Sequence, residues 1–401
     1  MLNPSDTGVP VIDVVGPTTH NKGDQMMLAA IRAQFEPACR TRCLDGGVRS
    51  YRARQLLLGT ARRLPIGGLL RKSYYRVAPL LPETARARLQ LTGYARIAAT
   101  LDCSGYLYGD PWGHVIRQSV WRLDHYRRVR QRGRPVIFMP QAFGPFADTG
   151  TAARVRAILE QGDLIACRDR RSLAYVHELG VRDERVRFVP DITILAPPIP
   201  PDDPAAWAET VAIVPNLRML DKTGQADAQS YIGFVLGLIE RIGKRGLRPV
   251  LLLHETFDDK LAATIVRESG RPVDVVNLDP LRAKGVIGAC RAVLSSRFHA
   301  IVSSLTQATP CLGTAWTHKY RELFEDYEWQ DGLLPVDAPD GEIDAKLDMI
   351  LDDPSRAMVV ERLRARAKWH RDQVLGFWAV MDGLITQSQA QADAHAVALP
   401  T

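Results

Sequence analysis

Between Val9 and Thr314 the sequence repeats one rhythm, a short β-rich run followed by a longer amphipathic stretch, and breaks it once at a run of prolines. Such alternation specifies parallel sheets, because each strand must return through a long crossover that is usually helical. The spacing predicts strands at 9–15, 97–102, 135–139, 164–167 and 186–189, and helices at 25–34, 112–131, 151–161 and 171–179. Ala196-Pro197-Pro198-Ile199-Pro200-Pro201-Asp202-Asp203-Pro204 can neither continue a helix nor fill a ladder, and reads as a linker. Beyond it, strands are expected at 211–215, 249–254, 273–276, 292–295 and 310–314, with helices at 228–245, 258–268, 281–289 and 300–307.

A chain of 401 residues exceeds what one ordinary core organises. The expected fold is α/β, with two doubly wound Rossmann-like domains in the glycosyltransferase B-type architecture. The N-terminal domain is placed at 1–196, with a basic insertion at 49–96, and the C-terminal domain at 205–354. A helix-prone segment at 355–386 is expected to pack back across the join, and the alanine-rich 387–401 to form a loose tail. Ligands in this architecture bind beyond the carboxyl ends of the strands.

No stretch approaches the roughly 18 apolar residues that cross a bilayer, and the start lacks the basic and apolar regions of a signal peptide. A cytoplasmic protein is the expectation. Cys39, Cys43, Cys103, Cys167, Cys290 and Cys311 are scattered and read as reduced thiols; no second Cys or His pair completes a metal site with Cys39 and Cys43. The formal charge of +7 is uneven, since eleven basic residues face the single acid Glu83 between Arg49 and Arg96. Leucines interleave those charges, which suits peripheral contact with anionic lipid at the inner face of the membrane, or equally a solvated helical insertion packed on the domain. Nucleic acid is not the expected partner.

The strongest chemical signal is Ser296-Arg297-Phe298-His299-Ala300, which follows a strand-like run and opens a helix. Arg297 and His299 at a strand's carboxyl end, beside a helix start with its partial positive charge, favour an anion. The next strand ends in Ala315-Trp316-Thr317-His318-Lys319, bringing Lys319 to the same rim. In the first domain Arg168 takes the corresponding place after the strand 164–167, and Asp169 either orients it or favours the helix start. Asn21 and Asp24 follow the first strand, and Asp24 serves equally as a helix cap. Asp110, Gln141 and Asp191 lie in loops after strands, where aromatic neighbours suit a carbohydrate platform and glycine and proline suit turns.

Asn21-Lys22-Gly23-Asp24, Pro140-Gln141-Ala142-Phe143-Gly144-Pro145-Phe146, Arg168-Asp169 with Ser172, Pro190-Asp191, and Arg297-Phe298-His299 with Lys319 together resemble the polysaccharide pyruvyl transferase family in order and spacing. The resemblance spans about residues 10 to 330; the Asp102-Cys103-Ser104-Gly105-Tyr106 loop departs from it, and the insertion at 49–96 falls outside it. It implies transfer of a pyruvyl group from phosphoenolpyruvate to hydroxyls of a sugar or lipid-linked oligosaccharide, forming a ketal in exopolysaccharide biosynthesis. His299 is then the general acid, because a histidine beside phosphate stays protonated near neutral pH. Arg168, Arg297 and Lys319, together with His299, hold the donor's carboxylate and phosphate. Asn21, Asp24, Asp110, Gln141 and Asp191 are acceptor contacts, with Asp24, Asp110 and Asp191 as alternative bases. Neither metal nor organic cofactor is implied. Two other readings stand beside it: a nucleotide-sugar glycosyltransferase of the same architecture, which the acid-free helix after His299 disfavours, and a non-catalytic membrane-peripheral scaffold.

Overall fold

A computed structural model describes residues 11–17, 21–35, 40–44, 94, 97–181, 184–221, 225–255, 257–314 and 318–398. The basic insertion at 49–96, apart from Tyr94, lies outside the described residues, and so does the lipid-contact expectation attached to it.

The chain divides into two compact units. The first comprises residues 1–19, 27–192 and 373–401, the second residues 20–26 and 193–372. The first holds a six-stranded parallel sheet: β1 (Val11–Val15), β2 (Arg40–Leu44), β3 (Ile97–Asp102), β4 (Val136–Gln141), β5 (Leu164–Cys167) and β6 (Val186–Phe188), in the order β2-β1-β3-β4-β5-β6. Every residue of β1, β3, β4 and β5 is buried, as parallel strands covered on both faces require. Helices α1 (Lys22–Phe35), α2 (Gly113–Gln118), α3 (Val120–Arg130), α4 (Thr149–Leu159) and α5 (Arg170–Glu178) alternate with these strands, α1 beginning among residues of the second unit.

The second unit holds a five-stranded parallel sheet ordered β11-β10-β7-β8-β9, from β7 (Thr210–Val214), β8 (Arg248–Leu252), β9 (Asp274–Val276), β10 (Ala292–Ser295) and β11 (Cys311–Gly313). Its helices are α6 (Arg218–Asp221), α7 (Gln225–Lys244), α8 (Asp258–Glu268), α9 (Pro280–Ala289), α10 (Phe298–Leu305), α11 (His318–Asp326) and α12 (Asp340–Leu351). The fold class is the expected α/β with two parallel sheets.

The proline-rich stretch is anchored to α9. Buried Lys284 donates to the carbonyls of Thr193, Ile194 and Ala196 at 2.7, 3.1 and 2.8 Å, Leu281 O accepts from Ile199 N, and Gly285 leaves no room for a Cβ, which would lie 1.8 Å from Ile199 O.

The last helix, α13 (Asp353–Ala398), corrects the expectation of a loose tail from 387: it continues unbroken to Ala398. Alanine and glutamine at 389–392 are good helix formers, and Ser388 is held by its hydroxyl to Gly133 O at 2.7 Å.

Candidate functional site

The second unit gathers its chemistry at the carboxyl edge of its sheet. Asn216 follows β7, His254, Glu255 and Asp258 follow β8, Ser296 and Arg297 follow β10, and Thr314 with Lys319 and Tyr320 follows β11. Hydrogen bonds fix these ends to one another. Asn216 Nδ2 donates to Ser296 O at 2.7 Å, Tyr231 Oη and Thr314 Oγ1 lie 2.8 and 2.5 Å from Ser296 Oγ, and Tyr320 Oη donates to Ser296 O at 2.9 Å.

Arg297 is the N-cap residue of α10 in extended conformation, and each of its three guanidinium nitrogens faces a carboxylate. Nε donates to Asp258 Oδ2 at 3.0 Å, Nη2 to Asp258 Oδ1, and Nη1 pairs with Glu255 Oε2 at 2.8 Å. Burial opposes the charge, but Asp258 and Glu255 outweigh it and hold the guanidinium pKa above the ordinary arginine value. An anion arriving here therefore meets a cation that already has partners.

His299, two residues on, is seated by the N-terminal segment. A Cβ on Gly23 would fall 2.0 Å from His299 Nδ1 and 2.2 Å from Cε1, so the first turn of α1 lies flat on the imidazole. Asn21 sets that turn as its cap: its Oδ1 accepts from Gly23 N at 2.8 Å and its carbonyl accepts from Gln25 N, while a β-bridge ties it to Glu255. The cap is thus Asn21, and Asp24 occupies the first turn, where a negative charge is favoured. Lys22 reaches the ends of β8 and β9, donating to Leu253 O at 2.6 Å and Asn277 Oδ1 at 3.0 Å. Burial lowers its pKa to about 8 despite Asp258 and Asp279. His254 is driven well below the ordinary histidine value by burial, with Lys22, His299 and Arg297 nearby adding to the shift. Lys319 Nζ stands 5.3 Å from the Phe298 ring centroid and 5.6 Å from that of Tyr320, which places it beside the start of α10.

The first unit carries Arg168, Asp191, Gln141 and Asp110. Arg168 Nη1 pairs with Asp191 Oδ2 at 3.0 Å, with both side chains buried, so Asp191 serves here as the partner of Arg168. Asp169 caps α5 through Ser172 N at 2.7 Å. Burial, with Asp169 and Tyr175 nearby, raises the Tyr106 phenol above its usual value. Asp110 holds a loop, accepting from Ala147 N at 2.6 Å. Gln141 is wholly buried and donates to Asp102 O at 3.2 Å.

Asp102, which the sequence did not single out, is the hub of this unit. It accepts from the hydroxyls of Tyr108 and Tyr126, from Arg122 Nη1 at 3.1 Å and from Ser104 N at 3.0 Å. The carbohydrate-platform expectation is corrected in part: Tyr108 and Phe143 stack in the core, 5.9 Å between centroids and 0% exposed, while Trp112 remains exposed.

The sequence from 21 to 318 matches the family model for polysaccharide pyruvyl transferase. The chain belongs to that family. The matched span runs from Asn21 to His318, so it encloses Arg168, Glu255, Asp258, Arg297 and His299, and Lys319 lies one residue beyond it. Solved structures with the same fold include Anabaena Alr3699/HepE in complex with UDP (11% identity, 94% of this chain and 100% of that chain covered, TM-score 0.58). A putative UDP-N-acetylglucosamine 2-epimerase from Listeria monocytogenes (11%, 90% and 91%, 0.54) and a UDP-glucosyltransferase from Polygonum tinctorium (11%, 97% and 99%, 0.53) share it too. The glycosyltransferase B-type fold is therefore that of this pyruvyl transferase family member. Within it, α10 bears no acidic residue.

Among the described residues of this family member no group of three His, Cys, Asp or Glu is arranged to hold a metal ion, and no helix is long and apolar enough to cross a membrane. Glu255, Asp258, Lys22 and His254 escaped the sequence reading. Lys22 was visible only inside the Asn21-Lys22-Gly23-Asp24 motif, and the others only by position, since His254 ends the strand-like 249–254, Glu255 directly follows it and Asp258 opens the next helix.

Proposed function

We propose that the protein transfers the enolpyruvyl carbons of phosphoenolpyruvate to two hydroxyls of a sugar in a cell-surface polysaccharide or its lipid-linked precursor, forming a cyclic ketal. His299 delivers a proton to the donor's methylene carbon, which becomes the methyl group. A sugar hydroxyl adds to the cationic C2 and gives up its proton to a base; the C2–O bond to phosphate then breaks, and a second hydroxyl closes the ring with loss of its proton. One proton ends on carbon, the other leaves with phosphate, and no electrons are exchanged. Arg168, Arg297 and Lys319 are the donor-binding residues of this reading, and Asn21, Asp24, Asp110, Gln141 and Asp191 its acceptor-side candidates. The reaction draws on no metal or organic cofactor and takes place in the cytoplasm, with the 49–96 segment touching anionic lipid.

One observation carries the reading. Within the matched family span, Arg297 and His299 open a helix directly beyond a strand end, with Lys319 at its side and no acidic residue on that helix. A nucleotide-sugar enzyme would be expected to offer an acid there for the donor ribose. The test is phosphate release from phosphoenolpyruvate by the purified protein over a panel of sugar acceptors, compared with binding of nucleotide sugars. Release that depends on acceptor, and that His299→Ala abolishes while donor binding persists, is expected. Absence of release with any acceptor, together with tight binding of a nucleotide sugar, would overturn the proposal.

A further inference from the structure

The Arg297 guanidinium poses a chemical question, because each of its three nitrogens already faces a carboxylate. The two partners differ in kind. Asp258 is fully buried, grips Nε and Nη2 in the two-pronged manner, and also accepts from Leu217 N at 3.1 Å, so it is fixed in place. Glu255 meets only Nη1, and its side chain is 22% exposed against 0% for Asp258. Its backbone is held by the bridge to Asn21, which leaves the carboxylate able to turn while the chain stays put. The pair in the first unit offers a contrast, since Arg168 and Asp191 are both buried, at 6% and 4%.

We infer that Glu255 is the resident counter-anion of the donor site, occupying Arg297 Nη1 until an incoming carboxylate or phosphate takes its place. The inference rests on the donor role given to Arg297 above and makes Glu255 a positioning residue that sets donor affinity. An exchange of this kind keeps an anionic oxygen on Nη1 in both states, while Asp258 stays paired with Nε and Nη2 and the released Glu255 carboxylate, at 22% exposure, turns to water. It also means that donor binding is measured against an internal competitor. Asp258 meanwhile keeps the guanidinium aimed.

The experiment is calorimetric titration of the full-length protein with phosphoenolpyruvate and, separately, with inorganic phosphate. Glu255→Gln preserves size and removes the charge. It is expected to tighten both ligands about fivefold, the factor corresponding to one part-exposed ion pair. Glu255→Ala, which also removes the competitor, should tighten them likewise and stands in if the first variant melts abnormally. Unchanged or weaker affinity in a variant that melts like the parent overturns the inference. If phosphate tightens as expected but phosphoenolpyruvate binds none of the proteins, the exchange stands and the donor assignment fails. No binding of either anion to any of them overturns both.

Discussion

Gly23→Ala is the smallest change that should separate the position of His299 from the stability of the fold. The added Cβ would lie 2.0, 2.2 and 2.6 Å from Nδ1, Cε1 and Cγ of the ring. A relaxed carbon contact needs about 3.5 Å, so ring and helix must part by about 1.5 Å. Misplacing a catalytic group by about 1 Å costs on the order of 100-fold in rate, and kcat for acceptor-dependent phosphate release is expected to fall by about that factor. Stability should respond far less. Alanine is the better helix former by roughly 1 kcal/mol, which offsets part of an overpacking cost of about 1–3 kcal/mol, so the net loss is expected to stay within about 0–2 kcal/mol. The histidine ring resonances in an NMR spectrum give a readout independent of activity, and that of His299 should shift. A variant with kcat within about threefold of the parent and unchanged ring resonances would refute the packing argument.

Two further perturbations probe other parts of the molecule. Lys22 has a folded pKa of about 8 against an ordinary value of 10.5, so between those values the unfolded chain binds more protons and stability rises with pH. Relative to Lys22→Met, the parent should therefore gain about 2 kcal/mol in urea denaturation between neutral pH and about pH 9.5; parallel pH profiles would remove burial as the cause. Reversing the charges of Arg62, Arg63, Arg71 and Lys72 should reduce co-sedimentation with anionic vesicles, and undiminished binding would end the lipid-contact reading.

Some elements bounded by turn signals were legible to the residue, and others, such as the strands expected at 211–215 and 249–254 and found at Thr210–Val214 and Arg248–Leu252, to within two residues. The strand at 164–167, the helix at 258–268 and the strand at 292–295 fall where periodicity put them. β2 was not seen, because Arg40-Thr41-Arg42-Cys43-Leu44 alternates charge in a sheet-edge strand and lacks an apolar run. The candidate site was legible only in its cations. Arg297 and His299 announce themselves by following a strand, whereas the carboxylate that grips Arg297 lies 39 positions earlier and the glycine that seats His299 lies near the other end of the chain. Pairings of that range leave no local pattern. Aromatic residues misled for a related reason: Tyr108 and Phe143 sit in loop sequences that look exposed, yet the charge that draws the Tyr108 hydroxyl inward belongs to Asp102, on the preceding strand.

The interleaving of the two units along the chain bears on how the protein can be cut and recombined. A fragment starting at Thr193 would possess the sheet that carries Arg297 and His299 yet be missing Asn21, Lys22 and Gly23, and one stopping at Ile192 would be missing the end of the last helix. Hybrids spliced at the proline run from two relatives would consequently combine one parent's histidine with the other parent's glycine turn, so that a shuffled enzyme could fold well and still be inactive.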